Sequence, residues 1–143
     1  MGIKRIRHLL LIAVFAYIAF ESVGCASMND RPTHTIQIQN IGKTEIKDVT
    51  YAYGDEAPRV LPSLGRGGDS RTMRMSVPES VSISWITGMD GRAHNATVPL
   101  TGKVPKSMDE KIVNFEIDGG HLRVYIEKRL PDFKRDRTQI YGN

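Results

Sequence analysis

The sequence predicts an all-β protein, an antiparallel β-sandwich of about seven strands that is loosely immunoglobulin-like. Apolar and polar residues alternate with a period of two over most of residues 34–128, as in half-buried strands. Turn sequences such as Asp118-Gly119-Gly120 separate the alternating runs. No run has the apolar spacing of an amphipathic helix. A twisted, barrel-like sheet is the alternative architecture.

Seven runs carry the alternation, and each places its apolar side chains on one face. Trp85, in the fourth run, resembles the buried tryptophan of immunoglobulin-like domains, but Cys25 is the only cysteine and no disulfide pair can form within the chain. The last two runs flank Asp118-Gly119-Gly120 and form the clearest hairpin. In order along the chain, the runs are residues 35–40, 46–53, 71–77, 81–87, 93–100, 112–117 and 122–127.

The chain begins with the pattern of a secretory signal peptide. Lys4, Arg5 and Arg7 precede an unbroken apolar run of 12 residues, 9–20. A helix of that length spans about 18 Å, whereas the hydrocarbon core of a bilayer is about 30 Å thick. A short apolar run behind positive charges is typical of an export signal rather than of a membrane-spanning helix.

The four residues Ser22-Val23-Gly24-Cys25 resemble the bacterial lipobox. The resemblance implies cleavage between Gly24 and Cys25, followed by lipidation of Cys25 with three acyl chains that hold the protein on a membrane. Ala26 and Ser27 follow, with no aspartate directly after the cysteine, which by the same resemblance implies the periplasmic face of the outer membrane. Two alternatives remain open: an uncleaved signal anchor, and a free thiol behind an ordinary signal-peptidase site.

The predicted domain organisation follows from this processing. Residues 1–24 form the signal peptide, residues 25–33 the lipidated N-terminus and a short tether, residues 34–128 the sandwich, and residues 129–143 a polar, loosely held C-terminal tail. The alternative for the tail is that Phe133, Ile140 and Tyr141 dock on the domain. The signal contains three of the 20 Lys and Arg residues and one of the 16 Asp and Glu residues, so the net charge falls from +4 to +2. This small excess does not indicate nucleic-acid binding.

Catalytic and metal-binding patterns are missing from the sequence. His34, His94 and His121 lie outside the spacings of metal ligands, and each is interpreted as an ordinary surface histidine. There is no G-x-S-x-G nucleophile motif. We therefore expect neither an enzyme nor a bound cofactor or metal.

A long connection at residues 54–70 is the predicted partner-binding segment. Long loops on a rigid scaffold often carry binding, and apolar anchors within a charged rim suit a protein partner. The alternative is that the two leucines fold back onto the core. The predicted contact residues are Arg59, Leu61, Leu64, Arg66 and Asp69.

Residues 77–100 resemble a pattern of small proteobacterial lipoproteins, in which a V-P-x-x-V strand reaches a tryptophan, an Asp-Gly turn follows, and a short Val-Pro strand returns. The closing hairpin with Leu122-Arg123-Val124-Tyr125 is similar as well. Some such lipoproteins are immunity partners of phospholipase effectors delivered by type VI secretion. The resemblance implies a periplasmic, lipid-anchored protein that binds and blocks such a lipase. A structural or assembly lipoprotein of the envelope or of a secretion machine is the alternative.

Overall fold

A computed structural model describes residues 32–88, 90–132 and 134–142. Every regular element in these ranges is a β-strand. Among the same residues, no helix has the length and apolarity needed to cross a membrane. The strands are β1 (His34–Asn40), β2 (Ile46–Tyr53), β3 (Arg59–Leu64), β4 (Gly67–Met73), β5 (Ser80–Thr87), β6 (Ala93–Pro99), β7 (Lys111–Asp118), β8 (His121–Arg129) and β9 (Arg135–Tyr141).

The strands form two packed sheets, which confirms the predicted β-sandwich. The five-stranded sheet has the order β4-β1-β7-β8-β9, and the four-stranded sheet has the order β3-β2-β5-β6. All ladders are antiparallel except the one between β1 and β7. The described part of the chain thus contains nine strands, two more than the alternation predicts.

The core lies between the sheets because alternate residues of each strand point inward. In β1 the burial alternates strictly, with every second side chain buried. The five-stranded sheet contributes Ile36, Ile38, Met73, Val113, Phe115, Ile117, Leu122, Val124 and Ile126. The four-stranded sheet contributes Ile46, Val49, Tyr51, Tyr53, Val81, Ile83, Trp85 and Val98.

One end of the sandwich is closed by Trp85, which is 3% exposed and therefore buried as predicted. Its indole Nε1 donates a hydrogen bond of 2.7 Å to the Gly119 carbonyl in the β7–β8 turn of the other sheet. Its ring stacks on His94, with the ring centroids 5.3 Å apart. Gly119 has a φ of 57°, the left-handed conformation that the predicted hairpin turn requires.

The predicted long connection at residues 54–70 is wrong. The chain there forms β3 and most of β4, joined by the short turn at Gly65 and Arg66. The predicted strand at residues 71–77 accordingly begins earlier, at Gly67, and ends at Met73. Alternation misses both strands because β3 contains Pro62 and β4 is mostly glycine and polar residues, so neither carries an apolar stripe.

The prediction of a loose C-terminal tail at residues 129–143 is also wrong, because β9 pairs along β8 within it. Ile140 and Tyr141 pack against the core, as in the alternative for this segment. The sequence of β9, RDRTQIY, has no apolar residue before Ile140. Charged side chains in its first half form ion pairs with residues of β8 and β7. Such pairs leave no periodic pattern of apolar residues, so periodicity does not predict this strand. This strand completes the outer face of the five-stranded sheet.

Candidate functional site

Strand β7 is buried on both faces, unlike the other strands of the sandwich. All six residues from Ile112 to Ile117 are buried. Three of the side chains on the outer face of the five-stranded sheet are polar and almost inaccessible: Asn114 is 0%, Glu116 7% and Glu127 of β8 1% exposed. Glutamate is rarely buried this far unless it is paired. The outer face therefore needs partners for two carboxylates.

The β8–β9 register supplies these partners. Arg137 lies opposite Glu127, and Arg135 lies opposite Arg129. The Arg137 Nε atom is 2.8 Å from Glu127 Oε1, and the Arg137 Nη2 atom donates to Glu116 Oε1. Arg135 Nη1 is 3.3 Å from Glu127 Oε2. We call Asn114, Glu116, Glu127, Arg135 and Arg137 the arginine–glutamate cluster.

Asn114 lies between the two carboxylates. Its Nδ2 atom donates to Glu127 Oε1 at 2.7 Å and to Gln39 Oε1 at 3.0 Å, and it lies 3.4 Å from Glu116 Oε1. Its Oδ1 atom, like Oε1 of Gln37 on neighbouring β1, is buried without a hydrogen-bond partner among the described residues. Buried acceptors of this kind take hydrogen bonds from ordered water when no protein donor is near.

The ring of Tyr125 packs against the guanidinium of Arg137. The Arg137 Cζ atom lies 3.9 Å from the centroid of the Tyr125 ring, a cation–π contact. The side chain of Arg137 nevertheless remains 33% exposed. The guanidinium is thus held in place by two carboxylates and a ring while it still faces solvent.

The surface around the cluster is basic. Residues 111–142 contain seven Lys and Arg and five Asp and Glu. The cluster includes two of each, so the residues around it carry five positive and three negative charges. Arg123 lies opposite Glu116 on the same outer face and forms no ion pair with any described residue. A positive, pre-ordered surface suits a partner that presents carboxylates or backbone carbonyls.

The contact residues predicted at 54–70 are largely engaged within the fold. Arg59 pairs with Asp69 at 3.4 Å, an ion pair that joins β3 of one sheet to β4 of the other. Leu61 and Leu64 pack against the core, in agreement with the alternative that these leucines fold back onto it. Arg66 is exposed in the β3–β4 turn. These residues do not form one exposed apolar patch.

Two of the three histidines are not the surface groups that the sequence predicts. His34 is 4% exposed, and its Nε2 atom lies 2.7 Å from the Tyr53 hydroxyl. Burial lowers the pKa of His34, and a hydrogen bond that its ring donates to the backbone of Met75 opposes the shift. Burial also raises the pKa of Tyr53. His94 is half-buried against Trp85, and only His121 is exposed.

No group of three or more potential metal ligands occurs among the residues that the structure describes. The predicted cleavage and lipidation site, Gly24 and Cys25, lies outside the described residues.

Sequence reasoning missed the cluster entirely. Asn114 and Glu116 alternate with apolar residues in β7, a pattern that predicts a strand with one apolar and one solvent-facing side. A usable signal exists in Arg135 and Arg137, which have the two-residue spacing of side chains on one strand face. Unless the pairing of β9 with β8 is known, this spacing does not indicate which residues the two arginines contact.

Comparisons with known proteins do not place the chain in a family. No family model matches it, and no curated protein matches it. One solved structure, the NMR structure of a protein from Eubacterium rectale, aligns with a TM-score of 0.42 and 20% identity, over 68% of this chain and 91% of that chain. A similarity of this size carries no argument about function.

Proposed function

We propose that this chain is a lipid-anchored protein-binding module of the bacterial envelope, and that the outer face of its five-stranded sheet is the contact surface. The observation that carries the proposal is the arrangement of Arg137, which is fixed by Glu116, Glu127 and Tyr125 but is still one-third exposed. Arginine and tyrosine are the residues that most often dominate binding energy at protein interfaces.

Pre-ordering gives this surface an energetic advantage in binding. An arginine that becomes ordered on association loses about 0.5–1.5 kcal/mol of side-chain entropy. In Arg137 that ordering has taken place on folding. Burying two glutamates is a weak way to stabilise a fold, since apolar replacements of buried ion pairs are often as stable or more so. The arrangement is better explained by recognition than by stability.

The partner that we propose is an antibacterial phospholipase delivered by type VI secretion. The resemblance of residues 77–100 to immunity lipoproteins supports this choice, as does the predicted anchor at Cys25. A domain tethered to the periplasmic face of the outer membrane would meet an incoming lipase before the lipase reaches the phospholipids. Binding that covers the lipase active site would protect the producing cell.

Removal of one charge on the proposed surface tests its role in binding. Arg123→Gln removes a positive charge from the outer face without breaking a described ion pair and without placing a second carboxylate opposite Glu116, so the fold should keep its stability. We expect capture of the partner from envelope extract by the tagged, full-length protein to fall at least about tenfold, equivalent to about 1.4 kcal/mol. Arg66→Gln, in the exposed β3–β4 turn, is the matched control and should capture normally. Equal capture by both variants would overturn the assignment of the surface.

A genetic experiment tests the identity of the partner separately. Deleting the gene should cause self-killing only in cells that also produce a lipase effector. Complementation with the unaltered protein should restore growth, and complementation with Arg123→Gln should restore it poorly. Normal growth of the deletion strain beside an active effector would reject the immunity function and favour the envelope-assembly alternative.

A further inference from the structure

Strand β6 is an open edge of the four-stranded sheet. It pairs with β5 on one side, and no other described strand pairs with it. Ala93, Asn95, Thr97 and Pro99 are all exposed. An unpaired strand edge offers backbone groups that another strand can bind.

The hydrogen bonds to β5 determine which backbone groups of β6 point outward. The Thr87 amide donates to the Arg92 carbonyl at 3.0 Å, and the Leu100 amide donates to the Glu79 carbonyl at 2.8 Å. In an antiparallel ladder the bonded residues alternate, so even-numbered residues from 92 to 100 face β5. The amides and carbonyls of Ala93, Asn95 and Thr97 consequently point away from the sheet.

The other edges carry features that discourage strand addition, whereas β6 does not. Strand β3 contains Pro62 within its length, and β9 begins with Arg135, Asp136 and Arg137. The β4 edge carries Arg71, which forms an ion pair with Glu56. Proline and charged residues are the usual protection of natural edges. Residues 93–99 contain no Asp, Glu, Lys or Arg, and their single proline is the last residue of the strand.

We propose that β6 pairs antiparallel with β6 of a second copy of this chain, around a two-fold axis at Asn95. In this register Asn95 faces its own copy, and Ala93 faces Thr97 of the second copy. The three outward residues of each strand then form about six backbone hydrogen bonds. Pro99, which has no amide hydrogen, falls opposite Gly91 at the end of the ladder, where it interrupts nothing.

A second copy suits the β6 edge because a two-fold contact pairs Asn95 with Asn95 and each Ala93 with Thr97 of the other copy. Every pair in the proposed ladder is uncharged, so no like charges meet. A single strand pair buries less than the roughly 1,200–2,000 Å² of a stable interface, so the dimer is expected to be weak. The edge belongs to the sheet opposite the arginine–glutamate cluster, and both can be occupied at once.

Complementary charges at the axis provide a direct test. Asn95→Lys and Asn95→Asp each place two like charges opposite one another, so sedimentation equilibrium of the full-length protein in detergent should show dimerisation weakened at least about tenfold. An equimolar mixture of the two variants should restore dimers, since lysine then faces aspartate. Ser82→Lys, on the exposed face of neighbouring β5, is the control and should dimerise like the unaltered protein.

Hydrogen exchange adds a readout that does not depend on charge. The amides of Ala93, Asn95 and Thr97 should exchange more slowly as protein concentration rises, while exchange in β3 stays constant. Failure of the mixed variants to associate would overturn the proposal, as would an unaltered protein that stays monomeric at every concentration. Slow exchange of the three amides in the dilute monomer would instead show the edge covered by the same chain, which also overturns it.

Discussion

Replacing Glu127 by glutamine is the sharpest test of the arginine–glutamate cluster. The side chain is 1% exposed. It forms an ion pair with Arg137 at 2.8 Å and accepts hydrogen bonds from Asn114 at 2.7 Å and Arg135 at 3.3 Å. Glutamine has nearly the same shape but lacks the charge, and its amide group presents hydrogens to at least one arginine. The substitution therefore removes the electrostatics of the cluster with little change of volume.

The expected loss of stability depends on how far each arginine is solvated once the charge of Glu127 is removed. Breaking a fully buried ion pair costs about 3–5 kcal/mol. The side chains of Arg137 and Arg135 are 33% and 42% exposed, so the released guanidiniums are partly solvated and the loss is smaller. A glutamine oxygen at the Oε1 position still accepts from Asn114, so the loss comes from the arginines. We expect Glu127→Gln to lower the free energy of unfolding by about 2–3 kcal/mol.

Urea unfolding of the full-length protein, followed by fluorescence, measures this change. The chain contains one tryptophan, and Trp85 is bonded to the β7–β8 turn, so its emission reports on the sheet that holds the cluster. Arg135→Gln is the control, because it removes a single 3.3 Å contact at an exposed side chain and should cost less than about 1 kcal/mol. A loss below about 0.5 kcal/mol for Glu127→Gln, or equal losses for the two variants, would refute the reasoning.

Four further outcomes are expected. Phe115→Ala should destabilise the fold by about 3–5 kcal/mol in the same urea assay, because this side chain is 1% exposed and its removal leaves a cavity. Stability should be constant above pH of about 6.5 and fall as the pH drops below it, since burial lowers the pKa of His34 and the unfolded chain takes up that proton first; a His34→Gln variant that keeps the same pH dependence would contradict this. Truncation after Asp132 removes β9 and leaves Glu127 without its arginines, so the shortened protein should aggregate or unfold at a lower urea concentration than the unaltered one. Cys25→Ala should leave the protein unlipidated, and unchanged mass and membrane fractionation would discard the lipoprotein hypothesis.

The all-β class and six of the predicted strands follow from the sequence because their cause is local. In β1, β5 and β8, alternation of apolar and polar residues is enough to select strand geometry and to assign an inner face. The β7–β8 hairpin is equally local, since Gly119 adopts the conformation that its turn requires. Burial of Trp85 also follows from its position on the apolar face.

Other features were decided by the tertiary structure alone. The parallel pairing of β1 with β7 joins residues about 75 positions apart, and no turn between them encodes that contact. Strands β3 and β4 lack an apolar stripe, so only their neighbours β2 and β1 make them strands.

The candidate site shows most clearly which features the sequence predicts and which only the tertiary structure decides. The sequence alone determined the all-β class, because alternation acts over short stretches of chain. The export signal ahead of Cys25 stays a prediction. Which polar residues would be buried could not be determined in this way. Glu116 and Glu127 are alternating polar residues like many others until β9 aligns Arg137 with them. Burial of a charge depends on a partner distant in sequence, and only the folded sheet brings the two together.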